Sequence, residues 1–190
     1  MKKKIPKKIT LASLEKSAIK YLEKYSVTEY QLIRMLKRKI IKTSFFYKIK
    51  PEKDFELIKL VIKKFIEIGL IDDKVFSENK VLTYIDKGYS KKKIIFNLKN
   101  KGISDENIQK GMDNLEKSFV NFELLSALIY ARKKKIINFK KKEKNFSVNK
   151  KKLLQMSQAG FSYDIAIKII NLNSEKEFIE LEKYAKYDDN

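Results

Sequence analysis

The chain contains no cysteine, no histidine and no tryptophan, and only five glycines and two prolines among 190 residues. Without cysteine there is no disulfide and no thiolate metal site. Without histidine the commonest metal ligand and general base are both missing. Any nucleophilic chemistry would need serine with lysine, or a carboxylate. The glycines are too dispersed for a phosphate-cradling loop, and neither the Walker pattern nor G-x-G-x-x-G occurs. Long apolar runs are missing too. The best of them, residues 66–71, is far too short to span a bilayer. The first eight residues are basic, but the segment after them is amphipathic, unlike the continuous apolar stretch of a signal peptide. A cytoplasmic, non-enzymatic protein without metal or cofactor, and with no membrane partner, is expected by elimination.

What is present is charge of one sign. The formal net charge is +20, on a chain with 44 Lys and Arg against 24 Asp and Glu. A surface so basic fits a polyanionic partner. Nearly all of it is lysine, with arginine only at Arg34, Arg38 and Arg132. Abundant Lys, Ile and Asn with little Gly and Pro also fits an AT-rich genome, so the bulk charge is a weak argument by itself. With 43% hydrophobic residues the chain can still build a core.

The apolar periodicity is helical almost throughout. Leu14, Ala18, Tyr21 and Leu22 recur at helix spacing, as do Leu32, Ile33, Leu36 and Ile40, and Ile58, Val61, Ile62 and Phe65. Only residues 43–49, aromatic and β-prone, read as a loop or irregular turn. Helix starts are marked by the capping box Thr28-Glu29-Tyr30-Gln31, by Ser104, Ser162 and Ser174, and by Asp72 or Asp73. Gly69, Gly88, Gly102 and Gly160 come just after apolar runs, where a left-handed residue closes a helix. Gly111 falls inside a helical pattern without an evident reason. Asp72-Asp73 is the one tempting acidic pair. Adjacent positions at a helix start do not face each other, so they read as caps and not as an acid–base pair. Asp188-Asp189 reads as a solvated tail.

Internal repetition organises these pieces. Ile33, Leu36 and Ile40 overlay Ile95, Leu98 and Gly102, then Leu153, Met156 and Gly160. Thr28 then matches Ser90, and Ser104 matches Ser162. The expected architecture is all-α: tandem three-helix repeats in an elongated, curved array. The expected divisions are a basic tail (1–11), a first repeat (12–71) with an insertion (41–51), a second repeat (72–117), a third (118–171), and an acidic terminal helix and tail (172–190).

The basic residues cluster on corresponding helices. Arg34, Lys37, Arg38 and Lys39 lie on the second helix of the first repeat. Lys91, Lys92, Lys93, Lys99 and Lys101 lie on its counterpart in the second. Arg132, Lys133, Lys134 and Lys135 form a run, Lys140–Lys142 and Lys144 come next, and Lys150 and Lys151 (with Lys152) open the counterpart in the third. Any single cluster could be a solvated face, and cations near helix C-termini also favour the dipole. Their recurrence on equivalent helices predicts a basic binding face. Tyr21, Phe65, Phe76, Tyr84 and Phe96 sit at core spacing. Phe45, Phe46 and Tyr47, beside Lys42 and Lys48, either stack on a single strand or plug the gap between repeats. No helix carries the Asn, Gln and Arg set that reads base edges, so sequence-specific transcription control is disfavoured. No dimer seam is evident, and a monomer is expected.

Several of these stretches coincide with one family. Ser17–Leu22, Val27–Lys39, Gly69-Leu70-Ile71-Asp72-Asp73, Phe76, Gly88-Tyr89-Ser90 and Lys93–Ile103 together resemble RecX, the regulators of the RecA recombinase. Ala131–Lys134 and Gly160-Phe161-Ser162-Tyr163-Asp164 look like third-repeat signatures of its alphaproteobacterial branch. The match spans most of residues 14–171, and the Gly-Leu-Ile-Asp-Asp and Gly-Phe-Ser-Tyr-Asp pieces are its most specific parts. The resemblance implies tandem three-helix repeats that bind along the RecA–DNA filament and lower its ATP hydrolysis and strand exchange, in DNA recombination, repair and SOS control, without catalysis by this chain. Family members often carry Arg where Lys92, Lys93 and Lys99 stand here, and lysine lacks the bidentate fork of arginine. The insertion 41–51 and the segment from Ser174 are not covered. The alternative is a sequence-non-specific protein whose basic face tracks the phosphates of single- or double-stranded DNA. Such binding would weaken steeply with salt.

Overall fold

A computed structural model describes residues 8–137, 139 and 146–186. The basic residues 1–7, the run Lys140–Lys142 with Lys144, and Asp188-Asp189 lie outside the described residues. Among those described there are ten α-helices and no strand: α1 Leu11–Leu22, α2 Glu29–Tyr47, α3 Glu52–Glu67, α4 Asp73–Asp86, α5 Lys91–Asn100, α6 Asp105–Ser118, α7 Phe122–Lys133, α8 Phe146–Gln158, α9 Tyr163–Ile170 and α10 Glu175–Lys186. The chain is all-α, as its periodicity requires. It forms two compact units. The first runs to Phe76 and includes Lys101–Ile103. The second holds Ser77–Asn100 and the described residues from Ser104 on.

In the first unit α3 packs on both α1 and α2. Leu14 and Ala18 of α1, Leu32, Leu36 and Ile40 of α2, and Ile58, Val61, Ile62 and Phe65 of α3 are buried together. They recur at i, i+3 and i+4, so each helix turns one apolar stripe inward. Burying each large side chain of this set contributes roughly 1.5–3 kcal/mol.

Helix α2 does not stop where its apolar repeat with the later helices ends. It continues through Tyr47, so residues 43–47 are helix and not the loop or turn their composition suggested. Thr43 and Ser44 are buried and extend the Leu36–Ile40 stripe by another turn. That inward face outweighs the β-propensity of Thr and Phe, which is a weak and context-dependent preference. Lys48, in the left-handed region at φ 53°, ends the helix, and the amide of Ile49 donates to the Ser44 carbonyl at 3.1 Å.

In the second unit α7 is buried on several sides. Phe122, Leu124, Leu125, Ala127, Leu128 and Ala131 are all buried, and the helix packs on α9 and α10. A helix apolar nearly all round has no solvent face to keep. The Asn121 side chain caps it, accepting from the Leu124 amide at 2.9 Å, and the Asn121 amide donates to the Ala185 carbonyl of α10 at 3.1 Å.

The expected caps are in place. Thr28, Ser104 and Ser162 accept from the third amide of their helices, and the Ser174 hydroxyl accepts from Glu177. Asp72 accepts from the Val75 amide at 2.9 Å, whereas Asp73 accepts from the Glu29 amide at the start of α2, also at 2.9 Å. Gly111 has a packing reason: a Cβ there would lie 3.0 Å from Ser77 Oγ on α4. Of the aromatics read as core, Phe65, Phe76 and Tyr84 are buried and Tyr21 is half-buried, but Phe96 is 63% exposed. Ile94 and Leu98 already fill the inward face of α5, and position 96 points the opposite way.

Candidate interaction surface

The sharpest basic feature is the outer face of α2. Between Glu29 and Glu52 the sequence has seven cations and no acid. At about 100° per residue, Arg34, Arg38, Ile41 and Phe45 fall within an arc of roughly 60°, flanked by Lys37 and Lys42. All six are exposed. The Arg34 guanidinium lies over the Tyr30 ring, 5.6 Å from its centroid. Among the described residues, Arg34, Lys37, Arg38 and Lys42 make no ion pair. Lys39 is turned away from this face. Its ammonium donates to Ser17 Oγ at 2.6 Å, and partial burial lowers its pKa.

The other basic positions are placed differently. Lys91 pairs with Glu116 at 3.0 Å and Lys99 with Asp105 at 2.7 Å. Lys93 sits over the Tyr89 ring, 4.2 Å from the centroid, and Lys92 is exposed. Lys101 lies 5.8 Å from the centre of the Phe76 ring. Arg132 pairs with Glu182 and lies over the Phe178 ring at 4.7 Å, while Lys133 donates to the Asp86 carbonyl. Burial alone would raise the Glu182 pKa, but hydrogen bonds and charge from Arg132 and Lys186 hold it below the usual carboxylate range. Lys134 and Lys135 come after α7 and are exposed, as are Lys150 and Lys151 on α8. The structure therefore groups Arg34, Lys37 and Arg38 on one exposed face. Lys39 and Arg132 serve the packing and pairing of their own units.

Two features escaped sequence reasoning. One is a groove of about 680 Å³ between α2 and α3, its apolar lining from Ile33, Phe55, Ile58, Ile62 and Ile66 and its charged lining from Lys37, Lys59, Lys63, Glu29, Glu56 and Glu67. Residues at i and i+4 on a helix flank can be half-covered in a core or line an open groove, and periodicity does not separate the two. The other is the placement of Ile41 and Phe45 on the cationic stripe: Phe45 was singled out beside Lys42, but reading 43–49 as a loop concealed that α2 carries it on the face of Arg34 and Arg38.

Two described carboxylates are shifted upward. Burial raises the Asp73 pKa, opposed by the Glu29 amide, and burial raises that of Glu123, opposed by Lys91 and Lys92. Among the described residues no group of three or more Asp, Glu, His or Cys could hold a metal ion, and no helix is long and apolar enough to cross a membrane.

A joint recurs in the two units. In the first, the Thr28 hydroxyl donates to the Lys101 carbonyl at 2.6 Å, and Gly102 lies against Tyr30. In the second, the Ser90 hydroxyl donates to the Ala159 carbonyl at 2.7 Å, and Gly160 lies against Ser90 itself.

Comparison with known proteins gives a consistent picture. Residues 72–112 match the family described as RecX, second three-helix domain. The chain is 28% identical over 171 residues to "Regulatory protein RecX" of Myxococcus xanthus, covering 90% of each. It is 35% identical over 148 residues to "Regulatory protein RecX" of Finegoldia magna, covering 75% of this chain and 62% of that protein. The crystal structure of RecX from Lactobacillus salivarius shares the fold at TM-score 0.59 and 21% identity, over 90% of this chain and 97% of that one. A further crystal structure of regulatory protein RecX superposes at TM-score 0.62 with 19% identity, over 85% of this chain and 72% of that one.

Proposed function

We propose that this chain, which belongs to the RecX family, regulates the RecA recombinase by binding the RecA–DNA filament and lowering its ATP hydrolysis and strand exchange. A regulatory role is supported by the relatives with which it shares sequence along most of its length. The finer reading is carried by one observation. The outer face of α2 holds four exposed cations, Arg34, Lys37, Arg38 and Lys42, that no acid of the described chain neutralises. Cations without an ion-pairing acid in the chain keep their charge available to an external polyanion. A nucleoprotein filament offers both phosphate and acidic protein surface. The apolar lining of the groove between α2 and α3 borders the same helix and offers the second kind of contact, which survives moderate salt.

The role is binding and not catalysis. Exposed lysines and arginines without a neighbouring acid or base position an anion but transfer no proton. The chain acts in the cytoplasm as a monomer in this reading.

The deciding experiment titrates this protein into single-strand-dependent ATP hydrolysis by the RecA of the same organism, alongside its binding to bare single strand at the same salt. Inhibition well below the amount needed to coat the DNA is expected. Inhibition only on saturation of the bare strand would mean that the basic face simply competes for phosphate, and the filament reading would be lost.

A further inference from the structure

We infer that the outer stripe of α2 is a single-strand binding platform on which Phe45 stacks a nucleobase while Arg34, Arg38 and Lys42 hold the backbone phosphates. It deepens the proposed function, resting on the same face of α2, and names the ligand of that face.

Phe45 is 88% exposed, on the last full turn of a helix whose opposite side is anchored by buried Thr43 and Ser44. The ring is therefore held out on a rigid support. The turn behind it is tied down by the left-handed Lys48 and the bond from the Ile49 amide to the Ser44 carbonyl. Ile41, one turn back on the same face, is 54% exposed. An exposed aromatic beside an exposed aliphatic would suit an apolar protein surface if its surroundings were neutral. Here the chain on either side of them is cationic: the 22 residues from Tyr30 to Pro51 carry seven Lys or Arg and no Asp or Glu. Charge complementarity selects a polyanion that also presents flat apolar faces.

Single-stranded nucleic acid has both properties, because its bases are free to stack and its phosphates are regularly spaced. Duplex DNA does not fit as well. Its base faces are occupied by neighbouring pairs, and its groove edges call for hydrogen-bonding side chains where this stripe offers Ile41 and Phe45. From Arg34 to Phe45 the helix advances roughly 16 Å, at about 1.5 Å per residue. That is enough to span a few nucleotides of an extended strand.

The absence of tryptophan supplies the test. In the full chain, Phe45→Trp introduces the only indole, and its fluorescence is recorded against a thymidine 15-mer, a duplex of the same length and phosphatidylserine vesicles, all without recombinase. Quenching that saturates with the single strand and is weak with duplex is expected. In parallel, Phe45→Ala should lower affinity for the 15-mer by about tenfold, within the range for loss of one stacked base, and leave the salt slope unaltered. Arg34→Gln with Arg38→Gln should lower the affinity and flatten the salt slope by more than one unit, as two lost phosphate contacts require. Circular dichroism of each variant checks folding. No quenching by the 15-mer, or an unchanged affinity of Phe45→Ala, overturns the inference. So does a blue-shifted, enhanced emission confined to the vesicles, which would mark a lipid surface as the ligand. Loss of quenching with ATPase inhibition intact defeats this inference alone. Quenching without inhibition of RecA defeats the filament reading alone.

Discussion

The side chain of Thr28 bonds at both ends: its oxygen accepts from the Gln31 amide at 3.2 Å, and its hydroxyl donates to the Lys101 carbonyl at 2.6 Å. One buried hydroxyl thus caps the helix it begins and also holds Lys101, 73 residues later in the chain. Ser90 repeats the arrangement, accepting from Lys93 at 3.4 Å and donating to Ala159 at 2.7 Å.

Removing that hydroxyl should cost both bonds. Thr28→Ala is expected to lose about 1 kcal/mol as a cap and a further 1–3 kcal/mol, roughly, for the unpaired buried carbonyl. Thr28→Ser should retain most of the stability. Urea denaturation followed by circular dichroism distinguishes the two, and equal loss in both variants would move the importance of Thr28 to its methyl group.

Two of the left-handed glycines that follow helices should differ in their tolerance of a methyl group. At Gly102, with φ 79°, a Cβ would overlap the side chain of Tyr30. At Gly69, with φ 72°, it would meet nothing within 4 Å. Gly69→Ala should cost about 1–2 kcal/mol, the left-handed penalty alone. Gly102→Ala adds an overpacking cost of about 1–3 kcal/mol. Thermal unfolding of the pair reads the difference, and identical melting temperatures would refute the contact.

Ser44 should be better replaced. Its hydroxyl is buried with no hydrogen-bond partner among the described residues, on the inner side of α2. A buried unpaired polar group costs about 1–3 kcal/mol, so Ser44→Ala should raise stability by about 1 kcal/mol in the same denaturation assay. A loss of that size would show that the hydroxyl is satisfied in solution.

The Arg132–Glu182 pair makes stability depend on acid. The Glu182 pKa is lowered in the fold, where Arg132 and Lys186 outweigh its burial. A lowered carboxylate pKa contributes stability above the unfolded value, and that contribution is lost as pH falls through the folded one. Glu182→Gln should therefore lower the melting temperature near neutral pH. The gap to the parent should close as pH falls through and below the ordinary carboxylate range. A gap constant with pH would assign the effect to packing.

Charge reversal on α2 tests the proposed face directly. Arg34 and Lys37 are exposed and outside the core, so Arg34→Glu with Lys37→Glu should leave unfolding nearly unchanged. Binding to the RecA filament should weaken by about tenfold or more, since like charge is set against the partner's surface. Unchanged filament affinity in the folded double variant would remove α2 from the interface.

Much of the fold was legible locally. A capping hydroxyl, the amide three residues on and the glycine after an apolar run all lie within a turn or two of chain, so Thr28, Ser104, Ser162, Gly102 and Gly160 could be assigned from spacing. The candidate surface was legible only in part. Arg34, Lys37 and Arg38 were found by their charge. The pairing of Arg132 with Glu182 spans 50 residues, and nothing near Arg132 in sequence announces it. Phe96 was misplaced because aromatic character was read ahead of its position opposite Ile94 and Leu98.

The sequence by itself determined the helical character, the capped helix starts and the sign of the charge, because each depends on groups within a few residues or on composition. Tertiary structure decided the rest: that Thr28 meets Lys101, that α2 runs on to hold Phe45 in solvent, and which cations remain without an acid. Those outcomes depend on which side chains meet across the chain. Hydrophobic burial is non-directional and gathers the stripes, while the close approach of particular atoms within each unit fixes the partners.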